Sequence, residues 1–198
     1  MNSIVSGILG NTLRRYLVIA LAASLAVTGG MFAYAYTTTN VSMTVTGATQ
    51  DFAALTGNST GAPTFTAFGT YRGAIPAGYI FDVTPDSNYG GDVGVNVYLD
   101  NADQIGYKYS MFLLRLNLVD YSDNGSMDKD ALGNGAGDRV LTMNNGVVSF
   151  VSDNMVAGTT YHIMIKGGVY RTYPWSFLDG IGGSWNPSFT AEVFQAGL

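Results

Sequence analysis

The densest run of side chains able to do chemistry is DYSDNGSMDKDALGNGAGD, residues 120 to 138, which holds five carboxylates and two side-chain amides in 19 residues. Carboxylate, amide and hydroxyl oxygens are the hard donors that Ca²⁺ takes roughly six to eight at a time. In calcium-loop register Asp120, Ser122, Asn124, Gly125 and Asp128 fall at ligand or turn positions, and Asp123, Asp130 and Asp138 add further oxygens. The register ends at Ala131, where a bidentate Glu would stand, and no helical pattern flanks the run. A looser interstrand calcium site is therefore expected instead of an EF-hand, with a solvated Asp-Gly turn as the alternative. A second acidic group, Asp82, Asp86, Asp92, Asp100 and Asp103, surrounds the apolar run at 93 to 99, where a metal between subunits would offset repulsion.

Other chemistry is poorly served. His162 is the only imidazole and Glu192 the only glutamate, no G-x-S-x-G surrounds a serine, and there is no cysteine. The missing cysteine excludes a thiol enzyme and a His/Cys zinc site, and the other absences argue against a Ser-His-Asp hydrolase. No catalytic residue is nominated. Aromatic residues gather instead in VYRTYPWSFLDGIGGSWNPSF, with Tyr173, Trp175 and Trp185 as the leading members. Three uses are open to them: packing at one end of the fold, a protein interface, or stacking on sugar rings.

The chain that must position these groups has 198 residues, of which 47% are hydrophobic and 12% charged, with 9 basic against 14 acidic side chains. That balance argues against nucleic acid as a partner, because a phosphate lattice demands a basic face. The length suits one domain.

Period-two alternation dominates, and no long stretch carries helical spacing. Val93, Val95, Val97 and Leu99 mark every second position of one run. Phe112, Leu114, Leu116 and Leu118 repeat the pattern with Arg115 and Asn117 on the other face, and Tyr161, Ile163 and Ile165 alternate with His162, Met164 and Lys166. Further strands are expected at 64 to 68, 79 to 83 and 189 to 194. Residues 140 to 143 and 147 to 151 flank Asn144-Asn145-Gly146, which predicts a hairpin. Residues 101 to 111 could hold a turn or two of helix capped by Asn101. About eight short strands predict an all-β fold, a single jelly-roll-like β-sandwich over residues 47 to 198.

Ahead of it, residues 1 to 35 read as a basic stretch ending Arg14-Arg15, an apolar run from Tyr16 to Thr28, and the small-residue segment Gly29 to Ala35. This predicts a secretory signal cleaved after Ala33-Tyr34-Ala35, with a retained membrane helix as the alternative. Removing it leaves 7 basic against 14 acidic residues, an acidic extracellular protein. Asn40-Val41-Ser42, Asn58-Ser59-Thr60 and Asn124-Gly125-Ser126 are glycosylation sequons.

The new terminus then carries Val41-Ser42-Met43-Thr44-Val45-Thr46, with apolar residues at odd and hydroxyls at even positions. Extended, residues 36 to 46 reach about 35 Å. Such a strand can pair within its own sandwich, or enter a groove of a neighbouring copy as a donor strand whose Val41, Met43 and Val45 fill alternate pockets. Because donor and acceptor surfaces differ, the second arrangement propagates head-to-tail.

Taken together, the leader, the Thr-rich start YTTTNVSMTVTG and the segment GGDVGVNVYLDNADQIGYKYSMFLLRLNLV with its acidic sequel resemble the secreted fibre proteins with a TasA-like jelly roll. They resemble especially the subunits of cannulae, the extracellular tubes of hyperthermophilic archaea. The resemblance implies a non-enzymatic subunit polymerising with identical copies by strand donation, with Ca²⁺ at interfaces promoting assembly. A membrane-anchored carbohydrate-binding sandwich is the alternative expectation.

Overall fold

Strand β7 (Asp92–Leu99) realises the clearest alternation of the sequence, with Val93, Val95, Val97 and Leu99 all buried. β8 (Tyr109–Asp120) does the same with Phe112, Leu114, Leu116 and Leu118. Each gives one sheet its inner face. The computed structural model describes residues 16, 18–20, 38–68, 72–120, 137–178 and 180–196. It divides into two units, Met1–Thr37 and Thr38–Leu198. In the first, the described residues are helical, with Tyr16, Val18 and Ile19 exposed. No described helix is long and apolar enough to cross a membrane.

The second unit is an all-β sandwich, as the alternation predicts. Besides β7 and β8 it contains β1 (Thr38–Val41), β2 (Thr44–Ala48), β3 (Ala53–Gly57), β4 (Phe65–Phe68), β5 (Arg72–Ile75) and β6 (Gly78–Pro85). After β8 come β9 (Arg139–Thr142), β10 (Val147–Ser152), β11 (Tyr161–Thr172) and β12 (Ser188–Ala196). One sheet runs β10-β7-β12-β2 and the other β3-β6-β11-β8-β9, with β5 also paired to β11 and β1 paired to β4 alone. Every ladder between these strands is antiparallel except β2 on β12, which is parallel.

Large aromatics fill the space between the sheets, and buried phenols reach carbonyls or amides at its margin. Tyr109 donates to the Trp185 carbonyl at 2.9 Å and Tyr170 to that of Thr66 at 2.7 Å, while Tyr161 accepts from the Val156 amide at 2.7 Å. Burial pushes the Tyr109 phenol far above its ordinary pKa, with the neighbouring Tyr170 adding to the effect.

Two local expectations change. The Asn144-Asn145-Gly146 turn does not close a hairpin: β9 pairs with β8 and β10 with β7, so the chain crosses between sheets there. Side-chain bonds build the crossing. Asn145 Oδ1 accepts from the Thr142 amide at 2.7 Å, Thr142 Oγ1 accepts from the Asn145 amide at 3.2 Å, and Gly146 turns at φ +63. The helix is one turn, α1 (Ala102–Ile105), and Asn101 makes no side-chain cap to it. Its amide instead ties the start of β12, donating to the Asn186 carbonyl and accepting from the Ser188 amide, both at 2.9 Å.

Candidate functional site

The alternation at 41 to 46 survives as burial, but not as one strand. Val41 is 1% and Met43 5% exposed, while Val45 is only partly buried. Pairing breaks at Ser42 and Met43. β1 lies on β4 with Asn40 opposite Thr66 and Val41 opposite Phe65. β2 lies on β12 with Thr44 opposite Ser188 and Val45 opposite Phe189. The crossing between the two ladders is fixed by the Ser42 amide on Asn186 Oδ1 at 3.2 Å and the Thr44 amide on the Pro187 carbonyl at 3.0 Å.

In the single chain the segment thus occupies a groove of its own sandwich, forming the edge of the four-stranded sheet. Sequence alternation gives its buried face but cannot give its partners. β2 also rests main chain against main chain on β3: a Cβ built on Gly57 would lie 2.7 Å from the Val45 carbonyl oxygen, and one on Gly47 2.6 Å from that of Leu55. Glycine at both positions is what allows the approach.

Among the residues expected to bind calcium, Asp120 ends β8 opposite Tyr161, and Asp138 precedes β9. Ser122, Asp123, Asn124, Asp128 and Asp130 lie outside the described residues. The Asp138 carboxylate is held at 3.2 Å from Arg115 Nε, at 3.5 Å from Lys166 Nζ, and accepts from Asn117 Nδ2 at 2.6 Å. Its negative charge is thereby matched by protein cations on the outer face of β8 and β11.

Further along that face, His162 Nδ1 lies 2.6 Å from Asp82 Oδ1 and its ring 5.1 Å from that of Tyr79. The second acidic group does not converge. Asp82 is on the six-stranded sheet, Asp86 accepts from the Asn88 amide, and Asp100 accepts from Thr190 Oγ1 at 2.7 Å beside the four-stranded one. Among the described residues no three His, Asp or Glu side chains stand close enough to hold a metal.

The aromatic group splits. Trp185 is partly buried, 4.3 Å from the Phe177 ring and 5.6 Å from that of Tyr109, so it plugs the end of the core. Trp175 stays 50% exposed and stacks on Tyr173 at 4.9 Å with 14° between planes. Lys108, itself buried, organises this region: Nζ donates to the carbonyls of Ser176 at 3.0 Å and Ile181 at 2.8 Å and sits 5.3 Å from the Trp185 ring centroid. Burial holds its pKa below the ordinary lysine value. Sequence spacing had no means of linking Lys108 to residues about 70 positions away. Nor does it bring forward Tyr107, which is 61% exposed at the same end of the sandwich.

On the outer face of the four-stranded sheet, Glu192 accepts from Tyr98 Oη, and from Asn96 Nδ2 at 3.3 Å. The Tyr98 bond leads in holding the carboxyl below, and the phenol above, their ordinary values. No protein-family model matches this chain, and no curated protein matches it either.

Proposed function

We propose that this protein is a structural, non-enzymatic subunit that is exported and polymerises outside the cell, its amino-terminal segment filling in a neighbouring copy the groove that it fills in its own body. The carrying observation is how that segment is held. Thr38–Ala48 is fixed on two edges, β4 and β12, by main-chain ladders, with Val41 and Met43 buried beneath. A ladder with two apolar pockets is blind to which molecule supplies the strand, so an identical segment fits equally well. β2 and β12 come from opposite ends of the described sequence, and β2 is the outermost strand of its sheet, so a strand from another copy can take its place on β12.

Burying Val41 and Met43 contributes about 3 to 6 kcal/mol in either arrangement. The hinge is the stretch 49–52 between β2 and β3, which spans at most about 14 Å when extended. Donation to the next copy gives a filament or tube, whereas reciprocal exchange gives a closed dimer. Ca²⁺ promotes assembly in this reading, through the acidic run 120–138 and the net negative charge of the subunit.

The absence of cysteine makes the test clean. Asn40 and Thr66 face each other across β1 and β4. Asn40→Cys and Thr66→Cys proteins are mixed, assembled with Ca²⁺ or chelator under light scattering and electron microscopy, then oxidised. Exchange yields mixed disulfides between the two variants within polymers, and the doubly substituted chain, oxidised beforehand, stays monomeric. Polymers without mixed disulfides refute strand exchange, and scattering indifferent to Ca²⁺ refutes its role.

A further inference from the structure

We infer that the end of the sandwich carrying Tyr107, Tyr173 and Trp175 is a binding site for a neutral glycan chain. The cavity there, about 550 Å³, is lined by α1, the segment leading into β8, the 142–145 turn and Tyr173. Three different connections therefore converge on one open groove. Loops at the end of a rigid sandwich are where such proteins carry recognition.

The side chains match a sugar in both of its chemical aspects. A pyranose ring has an apolar face of C–H groups and an equatorial rim of hydroxyls. For the face, the groove offers Tyr107 and Tyr173, with Trp175 stacked on Tyr173 and backing its ring. For the rim, it offers the carboxylate of Asp103 and the amide of Asn144, both exposed, and the Tyr107 hydroxyl. Among the described residues, none of these three side chains spends its hydrogen-bonding capacity within the chain. A carboxylate accepts from two adjacent hydroxyls and an amide both donates and accepts, which is what a diol requires.

Charge narrows the class. Among the described residues that line the groove there is no lysine or arginine, and the one carboxylate is that of Asp103. A uronic acid or sulfated sugar would meet a bare carboxylate and no counter-charge, so the ligand is uncharged.

The platform is also built in advance, which lowers the entropic cost of binding. The Tyr173 amide donates to the Lys108 carbonyl at 3.1 Å, Lys108 Nζ holds Ser176 and Ile181, and the Ser184 amide donates to the Gln104 carbonyl at 3.1 Å. Residues 173, 176, 181 and 184 are thereby pinned to α1 and the residue ahead of β8.

The test uses the purified protein in monomeric form, titrated with neutral hexasaccharides of β-1,4-glucose, β-1,4-N-acetylglucosamine and α-1,6-mannose, and with a hexagalacturonate. The readouts are calorimetry and tryptophan fluorescence. At least one neutral chain saturates, with a fluorescence change from Trp175, and hexagalacturonate does not bind. Trp175→Ala and Tyr107→Ala each weaken that binding about tenfold, the scale of a lost aromatic stack. Asp103→Asn weakens it while the melting temperature is unchanged, and Tyr107→Phe separates the lost hydroxyl from the lost ring. Failure of every neutral chain to saturate at millimolar concentration overturns the assignment. So does binding that survives the Trp175→Ala and Tyr107→Ala changes, tighter binding of hexagalacturonate, or loss of assembly without any sugar affinity, which would make the patch an interface between copies.

Discussion

Gly57→Ala probes the contact on which the amino-terminal segment rests. The added methyl lies 2.7 Å from the Val45 carbonyl oxygen, 3.0 Å from its carbon and 3.3 Å from Cγ2. A carbon and a carbonyl oxygen approach to about 3.3 Å, so β2 and β3 must part by about 0.6 Å. Both strands are edges: β3 is paired only to β6, with Gly57 opposite Phe81, and β2 only to β12, so the strain falls on these two ladders.

Overpacking of this kind costs about 1 to 3 kcal/mol. Complete release of β2 sets a ceiling, at about 1.5 to 3 kcal/mol for exposing Met43 plus about 1 kcal/mol for each ladder bond lost. The expected fall in melting temperature is about 2 to 12 °C, at 2 to 4 °C per kcal/mol for a domain of this size. Hydrogen exchange locates it: amides of β2 and β3 exchange faster, and those of β8 and β11 do not. Gly90→Ala, where a Cβ meets nothing within 4 Å, serves as the control. A melting temperature equal to that of the parent, with unchanged exchange in β2 and β3, refutes the close approach of the two strands.

Two further changes separate charge from packing. Lys108→Met leaves the carbonyls of Ser176 and Ile181 without their donor, at a cost of about 2 to 3 kcal/mol. Because the folded-state pKa of Lys108 is lowered by burial, the unfolded chain holds its proton to higher pH. Stability from this group therefore rises as pH climbs through the folded value toward the ordinary 10.5, and urea melts across that range show a rise that Lys108→Met lacks. Tyr98→Phe removes the bond to Glu192. The Glu192 contribution is present above its ordinary 4.5 and is lost as pH falls through the depressed folded value. The Tyr98 contribution is present below 10.0 and is lost as pH rises through the raised folded value. The stability difference between parent and Tyr98→Phe is accordingly flat near neutrality and declines on both sides.

The parts of the fold legible in the sequence are those where one face is buried along a whole strand. Val93 to Leu99 and Phe112 to Leu118 announce themselves because large apolar residues recur at every second position of the pleat and all of them are buried. β3 and β5 do not, since AALTG and RGAI are short and small and offer little contrast. The hairpin expected at Asn144 fails for a different reason. Asn-Gly specifies a local turn but not which sheet receives each arm, and the Thr142 and Asn145 side chains twist the exit toward β7. Of the site, Trp175 was legible as an aromatic. Its separation from Trp185, which lies under Tyr109 and Phe177, depends on contacts between distant residues, as does the recruitment of Tyr107.

Self-closure and exchange use the same pockets, so burial of Val41 and Met43 cannot decide between them. What decides is effective concentration. A strand tethered by a short linker faces its own groove at a concentration of order millimolar. At micromolar protein a neighbour is therefore outcompeted by about a thousandfold, or about 4 kcal/mol. Exchange prevails only if something outside the groove supplies that difference: strain in 49–52 when it doubles back, cation bridging between acidic subunits, or capture of the segment by a neighbour before the chain closes on itself. The first acts on the free chain, the second depends on the ion, and the third depends on the order of events during export. A chain folded alone in dilute solution should accordingly stay closed, and the strength of the neighbouring contacts, more than the fit of the strand, sets the concentration at which polymer appears.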